Sequence, residues 1–341
     1  MERKIDWYRT PLDKDLLRQL TGRSDAQGLL RAGSFLLIFA GTVYLTFFFF
    51  ARRMWLPMVA AGYLHCLFHG FVGMQAAVHE LSHFTPFKSK WLNEIFYHLF
   101  CFLTWNNPVH FRASHMLHHQ YTLHRGLDKE VIPEELAFTW LDGASWFLFD
   151  FRWFKQIMVP NVAHFFGRAD VDFNSWDPLF PVGDPRRRQM VAWARVLVLG
   201  HLALLAVFIV FQLWVLIVVV SFGYFFATAM ARGCGIQQHL GLCPNVPDWR
   251  VSCHTMLFDP LTAFLYWNMN FHTEHHMYAA VPFFNLPRLH QAMARDLPVP
   301  EPGFLAGVRK VLAIQRRQRK EPGYCFVPEF PPAAAPPRLP S

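Results

Sequence analysis

The sequence predicts an all-α, multi-pass membrane fold of about four transmembrane helices, with a cytoplasmic helical cap that carries three histidine clusters. Three observations predict it. Of the 341 residues, 53% are hydrophobic and 36 are phenylalanine, and the mean hydropathy is +0.17, a composition unlike that of an ordinary soluble domain. Long uncharged tracts recur at lengths that match the roughly 30 Å hydrocarbon core of a bilayer. Finally, histidines cluster at His79/His83, His115/His118/His119 and His272/His275/His276, at the spacing of metal ligands on a helix face.

Taken in order, residues 1–32 carry seven Lys or Arg and read as a lead-in on the membrane surface, with Trp7 and Tyr8 where interfacial aromatics sit. Residues 33–51 are uncharged and, as a helix, about 28 Å long, which makes them the first span. Arg52 and Arg53 form a very short turn, and residues 55–78 form a second span that delivers the chain into His79. His65 and His69 lie roughly 21 and 15 Å deeper and read as polar contacts inside the bundle. Ile95 to Trp105 is apolar but too short to span, so an interfacial or re-entrant helix is expected. Trp140 to Phe166 mixes aromatics with charges, as one or two surface helices would. Pro178, Pro181, Gly183 and Pro185 interrupt the chain before Arg186, Arg187 and Arg188. The apolar tract from Met190 to Ala231 is twice the length of one span, so it divides into 190–211 and 213–231 with a turn near Gln212; His201 inside it reads as structural. Residues 1–320 form a single domain, with cytoplasmic segments 79–189 and 232–320, and 321–341 is a Pro-rich tail expected to lack order.

The formal charge of +8 belongs to topology rather than to nucleic acid, because the basic residues are spread among the loops. Residues 1–32, 84–192 and 232–341 hold 7, 11 and 11 of the 32 Lys and Arg. The positive-inside rule therefore puts both termini and all three clusters on the cytoplasmic side of the membrane. Cys66, Cys101, Cys234, Cys243, Cys253 and Cys325 form no C-x-x-C pair and no disulfide framework, so reduced thiols are expected.

The histidine clusters carry the chemistry. On a helix, positions i, i+3 and i+4 share one face, so Asn270-Phe271-His272-Thr273-Glu274-His275-His276 aims three imidazoles the same way, and His115-Met116-Leu117-His118-His119 repeats the pattern. Neutral imidazole suits zinc, copper and iron, and eight ligands are more than one ion takes. His79-Glu80-Leu81-Ser82-His83 also satisfies His-Glu-x-x-His, in which Glu80 would be the general base of a zinc metalloprotease. That alternative leaves the other two clusters without a role.

The three boxes, their order and the four-span layout resemble the membrane fatty acid desaturase and hydroxylase superfamily over about residues 30–300. The continuation from Met277 and Tyr278 to Val281 and Pro282, and Leu286-Pro287-Arg288-Leu289-His290, is also similar. The resemblance implies two non-haem irons held by His79, His83, His115, His118, His119, His272, His275 and His276 and a ninth ligand, matched here by His239 in Gln237-Gln238-His239-Leu240-Gly241. His110, His124, His254 and His290 lack a partner at ligand spacing. Glu80, Glu274 and Asp128 are candidates to hold an imidazole N–H and set its tautomer. The resemblance further implies an acyl lipid as substrate, dioxygen as co-substrate, and removal of two hydrogens from a hydrocarbon chain, with hydroxylation as the alternative outcome. The substrate would enter through an apolar tunnel, for which the Phe-rich faces of the first two spans are candidates. Electrons would come from a separate ferredoxin-like or cytochrome b-type donor, since no haem domain, Cys cluster or dinucleotide fingerprint is found.

Overall fold

Among the described residues the regular structure is helical throughout, with five isolated β-bridges and no strand. The computed structural model describes residues 4–131, 138–171 and 178–339. A short α1 (Lys14–Leu20) precedes α2 (Asp25–Ala51), which starts eight residues before the uncharged tract. Ser24 caps it, accepting a hydrogen bond from Gln27 N at 3.3 Å. Arg31, which set the expected boundary, is accommodated inside the fold: its guanidinium donates to Phe264 O at 2.6 Å and lies over the rings of Phe264 and Phe283.

Arg53 takes a left-handed backbone at φ 55° in the turn to α3 (Trp55–Val72). The chain then breaks at Gly73 and resumes as α4 (Ala77–Ser82), which carries the first histidine box. Gly73 is needed for close approach, since a Cβ there would stand 2.3 Å from the Tyr224 hydroxyl. His65 and His69 are fully buried in α3 and make the expected polar contacts: His65 meets Thr42 Oγ1 and Val219 O at 2.8 and 2.9 Å, and His69 meets Leu103 O at 3.0 Å.

Helix α5 (Lys90–Leu103) covers the expected short apolar segment and packs Phe96, Tyr97 and Phe100 into the main core. Helix α6 (Pro108–Tyr121) carries the second box; Asn107 caps it and ties it to the next long helix by donating to Met190 O at 2.8 Å. Two helices follow where one or two were expected, α7 (Trp140–Ser145) and α8 (Phe151–Phe165). Pro185 is the first residue of α9 (Pro185–Val210), so the three arginines lie inside a helix capped by Asp184.

Among the described residues three helices are long and apolar enough to cross a membrane, Asp25–Ala51, Trp55–Ser82 and Pro185–Val210. The fourth expected span is not of that kind. After a left-handed turn at Gln212 the chain forms α10 (Trp214–Phe225), about 18 Å long at 1.5 Å per residue, and most of it is wound as a π turn and a 3-10 turn. It is the return limb by which the chain regains the histidine side, where Phe226 pairs with Phe149 and α11 (Ala229–His239) begins. The remaining elements are α12 (Trp249–Ser252), α13 (Pro260–Leu265), α14 (His272–Met277), α15 (Leu286–Met293) and α16 (Phe304–Lys320).

Two expectations about the C-terminal region are corrected. Cys243 and Cys325 are joined in a disulfide, leaving four free cysteines, all buried. Their neighbours cannot be read as partners from spacing, because 82 residues separate them. The Pro-rich tail, through residue 339, lies on the body of the protein. Phe326 N donates to Gly241 O at 2.8 Å, and Arg250, itself fully buried, donates to Asp248, Asp296 and the carbonyls of Ala335 and Pro336. Tyr8 stacks on the same guanidinium at 3.8 Å, so both chain ends meet at one buried charge.

Candidate metal centre

The nine histidines gather into two groups. His79, His83, His115, His119 and His275 form one, and His118, His239, His272 and His276 the other; in each, the candidate ligand nitrogens lie within 4.8 Å of one another. Helix geometry explains the partition. Each i, i+4 pair enters a single group (His79/His83, His115/His119, His272/His276), while the i+3 residue of each H-x-x-H-H box, His118 or His275, goes to the other group. Boxes two and three therefore stitch the groups together. His239, the last residue of α11, stands in the second group; His110, His124, His254 and His290 stand in neither.

Hydrogen bonds at the far ring nitrogen fix several tautomers. His118 Nδ1 lies 2.8 Å from Asp128 Oδ2, His115 Nδ1 lies 3.0 and 3.1 Å from the two Glu130 oxygens, and His239 Nδ1 lies 2.8 Å from Ser252 O. A carbonyl or carboxylate oxygen only accepts, so in the neutral ring the proton is on Nδ1 and Nε2 keeps a bare lone pair. Those lone pairs point at one another: His118 and His239 Nε2 are 3.2 Å apart, His83 and His115 2.9 Å, and His115 and His79 3.1 Å. Lone pairs converging in a buried space repel unless a cation sits among them, so the donor set fits one metal ion per group.

Electrostatics agree. Burial, reinforced by neighbouring imidazoles, holds His115, His119, His239, His272, His275 and His276 well below the usual histidine range, and burial takes His83 down to about 3. These rings are neutral and ready as ligands. His118 differs: burial opposes its charge, but the charge and hydrogen bond of Asp128 outweigh that and raise it. Burial likewise lifts the Glu130 carboxyl to about 7.

Of the three acidic residues singled out in the sequence, only Asp128 contacts a box histidine. Glu80 is fully buried; its Oε1 accepts from Thr85 Oγ1 and Phe283 N at 2.6 and 3.0 Å, and its Oε2 has no hydrogen-bond partner among the described residues. Glu274 accepts from His290 Nδ1 and from Thr255 Oγ1. Their helices aim them oppositely to the histidines beside them, since neighbouring positions do not share a helix face. Glu130 was missed; its only sequence signal is its place two residues after Asp128, whose Oδ1 accepts from Glu130 N at 3.0 Å.

One cavity of about 200 Å³ opens beside the histidines, lined by His79, His115, His118, His239 and His272 at one end. The second span contributes Met74, Gln75 and His79 to the wall, but none of the phenylalanines of the first two spans lines it; the rest includes Asn106, Arg152, Trp153 and Arg232.

The sequence pattern of fatty acid desaturases matches residues 53–304, well over half of the chain. The chain belongs to the fatty acid desaturase family. Among curated proteins none matches it. The family consists of membrane-associated oxidoreductases that generally act on lipids with separate electron donors and is known for di-iron centres, and the two histidine groups of this chain suit such a centre.

Proposed function

We propose that the protein is an oxygen-dependent membrane acyl-lipid desaturase, with His79, His83, His115, His119 and His275 holding one iron and His118, His239, His272 and His276 the other. The observation that carries the reading is the partition of three boxes and His239 into two buried, interleaved imidazole groups. Bound there, the irons supply the activation of dioxygen that breaking an unactivated C–H bond requires, which a lone zinc cannot. The chain's own part is to keep Nε2 of His118, His115 and His239 free by holding their Nδ1, through Asp128, Glu130 and Ser252 O, and to keep the site dry. A hydroxylase would begin with the same hydrogen abstraction and differ only afterwards.

The zinc protease reading loses its support at Glu80. A general base must reach the water beside the metal, whereas the contacts of the Glu80 carboxylate are those of Oε1 with Thr85 and the Phe283 backbone, its Oε2 being buried without a hydrogen-bond partner among the described residues. The cytoplasmic placement of the site rests on the 29 basic residues in the three segments on that side; the Cys243–Cys325 bond weighs against it, because disulfides persist mainly in oxidising compartments. The deciding experiment is metal analysis of purified protein together with mass spectrometry of host lipids with and without it. Two irons per chain and an acyl product two hydrogens lighter are expected; one zinc, or product formed without oxygen, overturns the assignment.

A further inference from the structure

Arg232 stands out on the cavity wall. A guanidinium has five N–H donors, and this one makes no hydrogen bond. Its contacts are an ion pair from Nε to Asp150 Oδ2 at 3.4 Å and the faces of Trp146 and Trp153, 5.4 and 4.9 Å from the ring centroids. Nε is buried without a hydrogen-bond acceptor, and so is the indole Nε1 of Trp146, a residue only 6% exposed. Both residues line the cavity that ends on the histidines. Two aromatic rings fix the guanidinium in place while its donors are left unused, an arrangement suited to a planar, two-oxygen acceptor.

The position of Arg232 sets a distance. It lies on α11 seven residues before His239, which is two turns, the same face, and a rise of about 10 Å. The candidate anchor thus shares a helix face with a candidate ligand two turns away. A cavity of about 200 Å³ is also smaller than the roughly 300–1,000 Å³ of pockets that enclose drug-sized ligands.

We propose that Arg232, with the Trp146 N–H, is the anchor for a substrate carboxylate, and that the enzyme oxidises compact carboxylic acids. The proposal rests on the oxidative reading of the histidine groups. Glu130 also lines the cavity, at the histidine end against His115, and Arg152 lines it with Asp142 3.7 Å away; the anchored carboxylate sits at the Arg232 end.

The test uses full-length protein in lipid nanodiscs. Octanoate, octanol and stearate are titrated against intrinsic tryptophan fluorescence, and each is assayed for oxygen-dependent product with reductase and ferredoxin. Arg232→Lys keeps a charge beside Asp150 but loses the planar fork, and Trp146→Phe keeps the ring but loses the N–H, so both preserve the fold. Octanoate is expected to bind more tightly than octanol or stearate. Arg232→Lys should weaken octanoate about tenfold and Trp146→Phe a few-fold, with octanol changed less than twofold and kcat falling less than KM rises. Octanoate binding that neither variant alters, or equal losses for octanol, overturns the anchor, and preference for stearate overturns the restriction to compact acids. Arg232-dependent octanoate binding without any oxygen-dependent product from iron-loaded protein would sink the oxidative function and leave the anchor standing. Product formed with no dependence on the head group would do the reverse.

Discussion

Replacing Asp128 by asparagine changes one atom and should unload one histidine group selectively. Asp128 is 1% exposed and accepts four hydrogen bonds, two on each oxygen: Glu130 N and Val131 N on Oδ1, and Leu123 N and His118 Nδ1 on Oδ2. Whichever way the asparagine amide turns, its NH2 faces two N–H donors that had an acceptor. With the oxygen left on Glu130 and Val131, His118 must shift its proton to Nε2 to find a partner, which blocks the lone pair aimed at His239. Loss of a carboxylate behind a ligating imidazole costs about 10- to 100-fold in metal affinity, or about 1.4–2.7 kcal/mol. The buried Leu123 N, left without its acceptor, should lower stability by about 1–3 kcal/mol. Elemental analysis of Asp128→Asn should therefore show iron falling from two per chain towards one, with turnover lost. Glu130→Gln, which keeps an acceptor for His115, should lose iron only a few-fold more readily and from the other group. Asp128→Asn with two irons and full turnover would refute the tautomer argument.

Three further outcomes follow from the same contacts. Glu80→Gln retains the acceptor used by Thr85 and Phe283, so it should cost about 1 kcal/mol or less and leave measurable acyl turnover; abolished peptide cleavage in a protease assay would reinstate the rival. His275→Ala and His276→Ala should each abolish turnover and each remove one iron, from different groups, as elemental analysis would register. Cys243→Ser and Cys325→Ser should each lower stability by up to about 4.5 kcal/mol, the chain-entropy value for a loop of this length, and the double variant should melt where the single ones do; additive losses would argue against a bond between them.

Much of the site was legible because its signal is local. Helical spacing alone places His272, His275 and His276 on one face, and the box motifs mark eight of the nine clustered histidines. The assignment of each histidine to a group was not legible, since it depends on how α4, α6, α11 and α14 cross, and neither was Glu130, which reaches His115 through a turn. Hydropathy found the spans it could count by charge but misplaced two ends. It cut α2 short at Arg31, whose charge is absorbed by a backbone carbonyl and two aromatic faces, and it extended the fourth span past Phe225, where a π turn breaks what looks like one apolar run. The tail was misread because composition reports what proline cannot form, and not that Arg250 binds two of its carbonyls.

The interleaving of the boxes has a consequence for biogenesis. His79 meets His275 across 196 residues of chain, which a ribosome takes about 10–40 s to make at 5–20 residues per second. Both groups draw on α14, so neither is complete while only the first six histidines exist, and no half-site matures early to guide the rest. On the proposed assignment iron capture would be the closing event of synthesis, and a chain that stopped anywhere before box three would lack ligands of both groups.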